Sequence, residues 1–343
     1  MRRVAKVVLL AALVAIFVGV LELLQISAAM LIGALVGALV FSLVFRQELR
    51  FPEPLYLLGQ AILGASIGAS IDLDTLRSIG GDWPIVLLVS VATIVGSVIL
   101  GLMLSARGTI TRETAVFSSV PGGASGLTVM SRDLGADDRV VTVLQYLRVV
   151  IIVASLPFIV HLVFHPPASS TPAPAVTVED LLPAIAFTAI SCAVGIVAGK
   201  LARLPAGGVF GPMIIAAIVH PWFGDAGVPG PLQQAAFGLI GLSVGLRFTR
   251  AAFATIKSLL PLALLNIVIV MAMCAAMGAW LSHVTGLSAL DGYLATTPGG
   301  FSAVLAIATT TGGDLTFVTA AQLVRLIIIL ASAPVFAWFL RRR

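Results

Sequence analysis

Charged residues are scarce in this sequence. Only 10% of the 343 residues are Asp, Glu, Lys or Arg, whereas 59% are hydrophobic and the mean hydropathy is +1.12. A soluble domain of this length needs a far more charged surface, so the composition excludes that class and indicates a polytopic membrane protein. The net charge of +5 comes from basic loops and a basic tail, a pattern that orients membrane helices and does not indicate nucleic-acid binding.

Residues that build metal or catalytic centres are also few. The two cysteines, Cys192 and Cys274, lie in apolar runs, which argues against a disulfide framework. The four histidines form no two-histidine ligand pair on one helix face, so we expect no metal site. We also expect no catalytic residue. The pattern Gly64-x-Ser66-x-Gly68 lacks the strand–turn–helix context of a hydrolase nucleophile and fits close helix packing instead.

One short stretch occurs twice in apolar surroundings, as Pro121-Gly122-Gly123-Ala124-Ser125 and as Pro298-Gly299-Gly300-Phe301-Ser302. Proline removes a backbone donor and glycine tolerates unusual backbone, so each copy predicts a helix that breaks partway into the membrane. Backbone groups freed by a break are tolerated there only where protein or a watery cavity satisfies them. A single copy would fit a kink or a plain loop, but two matching copies favour a functional role.

The two copies belong to a duplication of nearly the whole chain. Gly122 and Gly299 are 177 positions apart, and this offset holds without a gap. Further pairs that it relates are Gly135 and Gly312, Asp137 and Asp314, Gln145 and Gln322, and Arg148 and Arg325. Hydrophobic halves with matching Gly/Pro interruptions are typical of secondary transporters. We divide the chain into a first transmembrane repeat at 1–164, an extended linker at 165–180 and a second, inverted repeat at 181–343.

The distribution of Lys and Arg indicates which of the six apolar segments in each half cross the membrane. If neither Pro-Gly-Gly segment crosses, 17 basic residues lie on the cytoplasmic side, one (Arg77) lies outside and two lie within the membrane. If both cross, the split is 10 inside against 8 outside. The first arrangement predicts an all-α polytopic protein with two inverted repeats of about five transmembrane helices, each with a broken or re-entrant Pro-Gly-Gly element. Both termini are then cytoplasmic, in a bacterial-type inner membrane.

A polar stripe runs along the last apolar segment of each half. Arg148 and Arg325 lie deep in apolar runs and share a helix face with Gln145 and Gln322. No acidic residue lies at comparable depth. Asp137, for example, precedes Arg148 by 11 positions, about 16 Å along a helix. Two interpretations are open, and both can hold: the arginines cap carbonyl groups released by the breaks, or they bind an anion.

We therefore predict a substrate site built from the breaks and the polar stripes. Its residues are Pro121, Gly122, Gly123, Ser125, Gln145, Arg148, Pro298, Gly299, Gly300, Ser302, Gln322 and Arg325. Helix N-termini at the breaks would offer N–H groups and partial positive charge to an anion, and the arginines would add to that attraction. Replacing either arginine by glutamine should then weaken binding more than folding. Lysine should substitute poorly, because it lacks the planar fork.

The duplicated Pro-Gly-Gly-x-Ser segments, each followed by Gly-x-Asp and Gln-x-x-Arg, resemble the AbrB family of membrane proteins with its internal duplication. Members carry labels as different as ammonia monooxygenase, transcriptional regulator and transporter. The pattern is also loosely similar to inverted-repeat carriers such as bile-acid symporters and auxin-efflux proteins. That likeness implies a scaffold, a moving, elevator-like core with two broken elements, and a homodimer. The absence of an acid deep in the apolar segments departs from the sodium- and proton-coupled members.

The expected function is secondary transport of a small, anionic organic solute by alternating access between the inverted repeats. The expected partners are that solute and the lipid bilayer. No cofactor is expected apart from a coupling Na⁺ or H⁺. A membrane enzyme such as a copper monooxygenase would need clustered His or carboxylate ligands, which the sequence does not offer. A membrane-bound regulator or sensor would normally need a soluble output domain, for which no loop or tail is long enough.

The predicted topology can be tested at the linker. We expect a cysteine introduced as Ser169→Cys to react with a membrane-impermeant thiol reagent in intact cells. The reason is that the 17-to-one distribution of Lys and Arg places the linker outside. Protection of this cysteine in intact cells would contradict the inverted-repeat arrangement.

Overall fold

All regular structure that the computed structural model describes is helical. The described residues are 3–24, 26, 28–45, 49–70, 83–105, 110–121, 131, 135–165, 178–204, 206–223, 227–248, 250, 254 and 258–341. The α-helices are α1 (Arg3–Leu23), α2 (Ala29–Leu43), α3 (Glu53–Ala69), α4 (Trp83–Ser105), α5 (Arg112–Ser119), α6 (Asp138–Ile159), α7 (Val178–Leu201), α8 (Gly207–Val219), α9 (Gly230–Arg247), α10 (Leu260–Thr285), α11 (Ala289–Thr296), α12 (Phe301–Thr311) and α13 (Leu315–Arg341). A π-helical turn, Val160–Phe164, continues α6, and a 3₁₀ turn, His220–Trp222, continues α8.

Several of these helices are built to lie in a membrane. Five are long and apolar enough to cross one: Val4–Leu23, Trp83–Ser105, Arg139–Phe164, Leu181–Leu201 and Leu260–Thr285. In Val4–Leu23, only 17% of the most apolar 18-residue stretch is buried within the protein. Side chains such as Val4 and Leu23, 73% and 86% exposed, therefore need apolar surroundings. The prediction of an all-α membrane protein is confirmed.

Helix boundaries recur along the chain with the offset found in the sequence. α4 and α10 begin at Trp83 and Leu260, and α5 and α11 begin at Arg112 and Ala289. The ends of α5 and α11, Ser119 and Thr296, are also 177 positions apart. Local sequence therefore produces the same short helix, followed by the same interruption, in both halves.

The chain divides into two compact units, and each unit takes segments from both halves of the sequence. The first unit comprises Met1–Arg77, Val153–Arg247 and Phe301–Thr316, and the second comprises Ser78–Ile152, Phe248–Gly300 and Phe317–Arg343. The two compact units therefore do not coincide with the two sequence repeats. The division of the sequence at 165–180 stays a prediction, and residues 166–177 of that linker lie outside the described residues.

Glycines let helices of the first unit approach each other closely. A Cβ atom on Gly64 of α3 would lie 2.2 Å from the carbonyl oxygen of Val209 on α8. The repeat-equivalent Gly241 of α9 would meet the carbonyl oxygen of Leu31 on α2 at 2.1 Å. Ser66 accepts a hydrogen bond from Gln233 Nε2 at 3.0 Å. The packing interpretation of the Gly-x-Ser-x-Gly pattern is confirmed.

In the second unit, glycines bring the long helices against the short ones. A Cβ atom on Gly101 of α4 would lie 2.9 Å from the carbonyl oxygen of Ala115 on α5. Its repeat equivalent, Gly278 of α10, would meet the carbonyl oxygen of Gly292 on α11 at 2.6 Å. The short helices α5 and α11 are therefore held by backbone contact and cannot shift without moving α4 and α10.

The glycine contacts can be tested by adding one methyl group. We expect Gly64→Ala to lower the free energy of unfolding by about 1–3 kcal/mol, because its Cβ would overlap the backbone of α8. Gly19→Ala is the control, since a Cβ there meets nothing within 4 Å. Thermal unfolding of the purified variants in detergent provides the comparison, and equal melting temperatures would contradict the packing argument.

Candidate functional site

The helices α5 and α11 end in the same way, immediately before the two prolines. Val120 caps α5 with φ −67° and ψ 125°, and Thr297 caps α11 with φ −50° and ψ 127°. These extended conformations are what a following proline imposes on the preceding residue. The last four carbonyl groups of each helix have no intrahelical N–H partner, and the proline supplies none.

Two side chains of α6 satisfy the freed carbonyl groups at the first break. Gln145 Nε2 donates to the carbonyl oxygen of Phe117 at 2.5 Å and to that of Val120 at 3.1 Å. Arg148 Nη1 donates to the carbonyl oxygens of Ser119 at 3.2 Å and Val120 at 3.1 Å. Arg148 Nη2 also donates to Gln145 Oε1 at 2.6 Å, which holds the two side chains as one unit.

The second break is held by the same arrangement from α13. Gln322 Nε2 donates to the carbonyl oxygens of Leu294 at 2.7 Å and Thr297 at 3.3 Å. Arg325 donates through Nη1 to the carbonyl oxygen of Thr296 at 2.8 Å and through Nη2 to that of Thr297 at 2.7 Å. Arg325 Nη2 also donates to Gln322 Oε1. The carbonyl-capping interpretation of the arginines therefore holds in both halves.

All four side chains of these networks are buried. Gln145, Arg148, Gln322 and Arg325 are 0%, 2%, 2% and 5% exposed. Among the described residues, no carboxylate lies within ion-pair distance of either guanidinium. The partial negative charge at the C-terminal ends of α5 and α11 offsets part of this positive charge.

The two arginines differ in what surrounds their remaining donors. Arg148 Nε is buried and has no hydrogen-bond partner among the described residues. Arg325 borders a cavity of about 10 Å³, enough for one water molecule, which Ser90, Thr93 and Thr296 also line. Three hydroxyl-bearing side chains thus line the cavity that Arg325 borders.

The other predicted site residues differ between the two helix ends, and some of them lie outside the described residues. Pro121 and Pro298 are buried beside their helix ends. Gly299 and Gly300 have φ values of +145° and +67°, which residues with a side chain rarely adopt, so the second break depends on glycine. Ser302 lies in the first turn of α12, which belongs to the first unit. Gly122, Gly123 and Ser125 lie outside the described residues.

Asn266 is a site residue that the sequence analysis missed. Its Nδ2 donates to Ser119 Oγ at 3.0 Å, which connects α10 to the end of α5. The sequence does indicate Asn266 as unusual. It is a polar residue in an apolar helix, and the equivalent residue in the first repeat is the apolar Val89. A residue that differs between the halves is not indicated by a comparison of matching positions.

Two aspartates lie at helix starts: Asp137 caps α6, and Asp291 supports Ser288, which caps α11. Asp137 Oδ1 accepts hydrogen bonds from the backbone N–H groups of Arg139 at 3.0 Å and Val140 at 3.2 Å at the start of α6. Asp291 in α11 is only 6% exposed, and its Oδ2 accepts from Ser288 Oγ at 2.6 Å. An acid is therefore buried at the start of α11, at the edge of an apolar segment.

This geometry defines a helical membrane protein in which two equivalent helix ends, before Pro121 and Pro298, are each capped by a Gln–Arg pair. The family model described as "Transition state regulatory protein AbrB" matches residues 30–341. The chain is 30% identical to "Putative regulator AbrB" of Escherichia coli (strain K12), covering 85% of this chain and 84% of that protein. It is 27% identical to "Uncharacterized protein YhjN" of Bacillus subtilis (strain 168), over 81% and 77%. The chain belongs to the AbrB family.

The capping role of the glutamines gives a paired prediction. We expect Gln145→Leu and Gln322→Leu each to lower the free energy of unfolding by about 1–3 kcal/mol, because each leaves a buried carbonyl group without a donor. Gln234→Leu on α9 is the control, since Gln234 is exposed. Chemical or thermal unfolding of the three purified variants measures the effect, and wild-type stability in both break variants would exclude capping.

Proposed function

We propose that the protein is a secondary transporter, which moves a small anionic organic solute by alternating access between inverted repeats. The observation that carries this proposal is the repeated break: the same Gln–Arg pair caps the same helix end in each half. Broken helices in equivalent positions of two halves are where secondary transporters bind their solutes.

The charge around the breaks supports an anionic solute. Arg148 and Arg325 are buried without a carboxylate partner among the described residues, and burying such charges is expensive. A bound anion would supply a full negative charge while it is present. We propose the site as predicted from sequence, with Pro121, Gly122, Gly123 and Ser125 from the first break and Pro298, Gly299, Gly300 and Ser302 from the second.

The proposal includes an orientation and an assembly. The Lys and Arg distribution supports opposite orientations of the two repeats, cytoplasmic termini and a place in a bacterial-type inner membrane. The carriers that the sequence loosely resembles support an elevator-like movement and a homodimer. We propose transport without enzymatic turnover, with Na⁺ or H⁺ as the candidate coupling ion.

A regulatory role is the competing interpretation, because the Escherichia coli relative is named a regulator. The two functions are separated by a variant that folds but does not transport. If such a variant restores the phenotype of a deletion strain, regulation is favoured. If only transport-competent protein restores it, transport is the function.

The break glycines provide the test of transport. After a thermal-shift screen of carboxylates, amino acids and their amines has identified a ligand, its uptake is measured in proteoliposomes. We expect Gly123→Leu and Gly300→Leu to abolish uptake and to leave the protein folded, because a bulky side chain at a break would block the proposed solute site. Gly286→Leu is the control, since Gly286 also has positive φ (+75°) but a Cβ there meets nothing within 4 Å. Normal uptake by both break variants would make the breaks loops without a binding role.

A further inference from the structure

A small cavity beside Arg325 lies between α4 and the second break. Its volume is about 10 Å³, which is the space that one water molecule needs. Four of its lining residues carry polar side chains: Ser90 and Thr93 from α4, Thr296 from α11 and Arg325 from α13. All four belong to the second unit and are at most 5% exposed. Polar groups buried in this way need hydrogen-bond partners.

Arg325 has donors that its capping bonds do not use. A guanidinium group carries five N–H groups. Those of Arg325 donate to the carbonyl oxygens of Thr296 and Thr297 and to Gln322 Oε1, which are three acceptors. Two N–H groups therefore remain without an acceptor among the described residues, on a buried side chain that borders the cavity. A buried charged donor without an acceptor is costly, so the cavity is where we look for one.

The hydroxyl groups around the cavity complement these donors. Thr93 Oγ1 donates to the carbonyl oxygen of Ser90 at 2.8 Å, and Thr296 Oγ1 donates to that of Cys274 at 2.8 Å. The protons of both threonine hydroxyl groups are thus in use, and each oxygen keeps lone pairs that can accept a hydrogen bond. No hydrogen bond among the described residues uses Ser90 Oγ, so this hydroxyl group can donate or accept.

The first half has a different arrangement at the equivalent place. At the offset of 177, Ser90 and Thr93 correspond to Ile267 and Val270, and Val89 corresponds to Asn266. Asn266 donates directly to Ser119 Oγ at 3.0 Å, and Ser119 is the residue equivalent to Thr296. A side-chain amide therefore joins α10 to the end of α5. The second half has no such amide on α4 and has hydroxyl groups around a cavity instead.

We propose that one water molecule is bound in this cavity as a constant component of the protein. It accepts a hydrogen bond from Arg325 and donates to the hydroxyl oxygens of Thr93 and Thr296, and Ser90 is its fourth partner. Buried water molecules typically make two to four such bonds. The water molecule joins α4 to the cap of the second break, as Asn266 joins α10 to the first. This inference is independent of the proposed transport function, because it concerns how a helix end is held.

The charge and the hydrogen-bond pattern of the cavity favour water over an ion of similar size. A cation would lie beside the Arg325 guanidinium and be repelled. A monatomic anion would attract Arg325 but would also face the lone pairs of two threonine hydroxyl groups whose protons are already in use. Water accepts from the arginine and donates to the threonines. Its bond from the arginine is charge-assisted, and such bonds are stronger than those between neutral groups.

The direct test is a density map of the full-length protein at a resolution that shows ordered water molecules. We expect a peak within about 3.2 Å of a guanidinium nitrogen of Arg325 and of at least two of the three hydroxyl oxygens. A map that shows ordered water elsewhere in the protein interior and none here would overturn the proposal. Bromide is the probe for an anion. An anomalous bromide signal in this cavity, from crystals grown in sodium bromide, would also reject water.

A variant of α4 measures what the water molecule contributes. Ser90→Val removes a hydroxyl group and fills the cavity, so the density peak should be lost and the melting temperature should fall by a few degrees. Ser97→Ala is the matched control, because Ser97 is also buried on α4 but does not line the cavity. The control should keep the peak and melt close to wild-type protein.

A second variant keeps the inference testable if Ser90→Val does not fold. Thr93→Val has nearly the shape of the original side chain and removes one acceptor from the cavity, so it should also lower the melting temperature by a few degrees. The proposal is wrong if Ser90→Val and Thr93→Val both melt as wild-type protein does. It is equally wrong if Ser97→Ala loses the density peak as readily as Ser90→Val does.

Discussion

Two helix ends that face apolar surroundings without N–H partners are the constraint on which this structure depends. Each break before Pro121 or Pro298 releases carbonyl groups that neither lipid nor the proline can satisfy. The protein supplies donors from one glutamine and one arginine on the following long helix, three residues apart and therefore on one face. A guanidinium suits this task because it offers several donors in one plane and stays charged.

The same arrangement is the basis for proposing an anionic solute. Two buried guanidinium groups have carbonyl dipoles as partners and no carboxylate among the described residues. Carbonyl dipoles offset part of a positive charge, and a solute that brings a full negative charge gains the remainder. Capping of the helix ends and the proposed binding of an anion are compatible, because a guanidinium can donate to the backbone from one edge and to a solute from another.

Much of this arrangement could be predicted from the sequence, because it follows from local chemistry. Composition alone identified a helical membrane protein, and the repeated Pro-Gly-Gly and Gln-x-x-Arg patterns located the breaks and their polar partners. The capping interpretation of Arg148 and Arg325 also follows from the sequence, since a helix that ends before a proline leaves carbonyl groups without N–H partners. The duplication does not indicate Asn266, because the equivalent residue in the first half is Val89 and only Asn266 can donate to Ser119.

Periodicity and the duplication determined which segments are helices, where the breaks fall and which residues share a helix face, because these depend on residues close in the sequence. Only the tertiary structure decided that each compact unit takes segments from both halves, since packing depends on which helix faces fit together. It alone also decided that the equivalent arginines differ. Gly299 comes to lie beside Arg148 Nε across 151 positions of the chain, and no local pattern encodes a contact over such a separation.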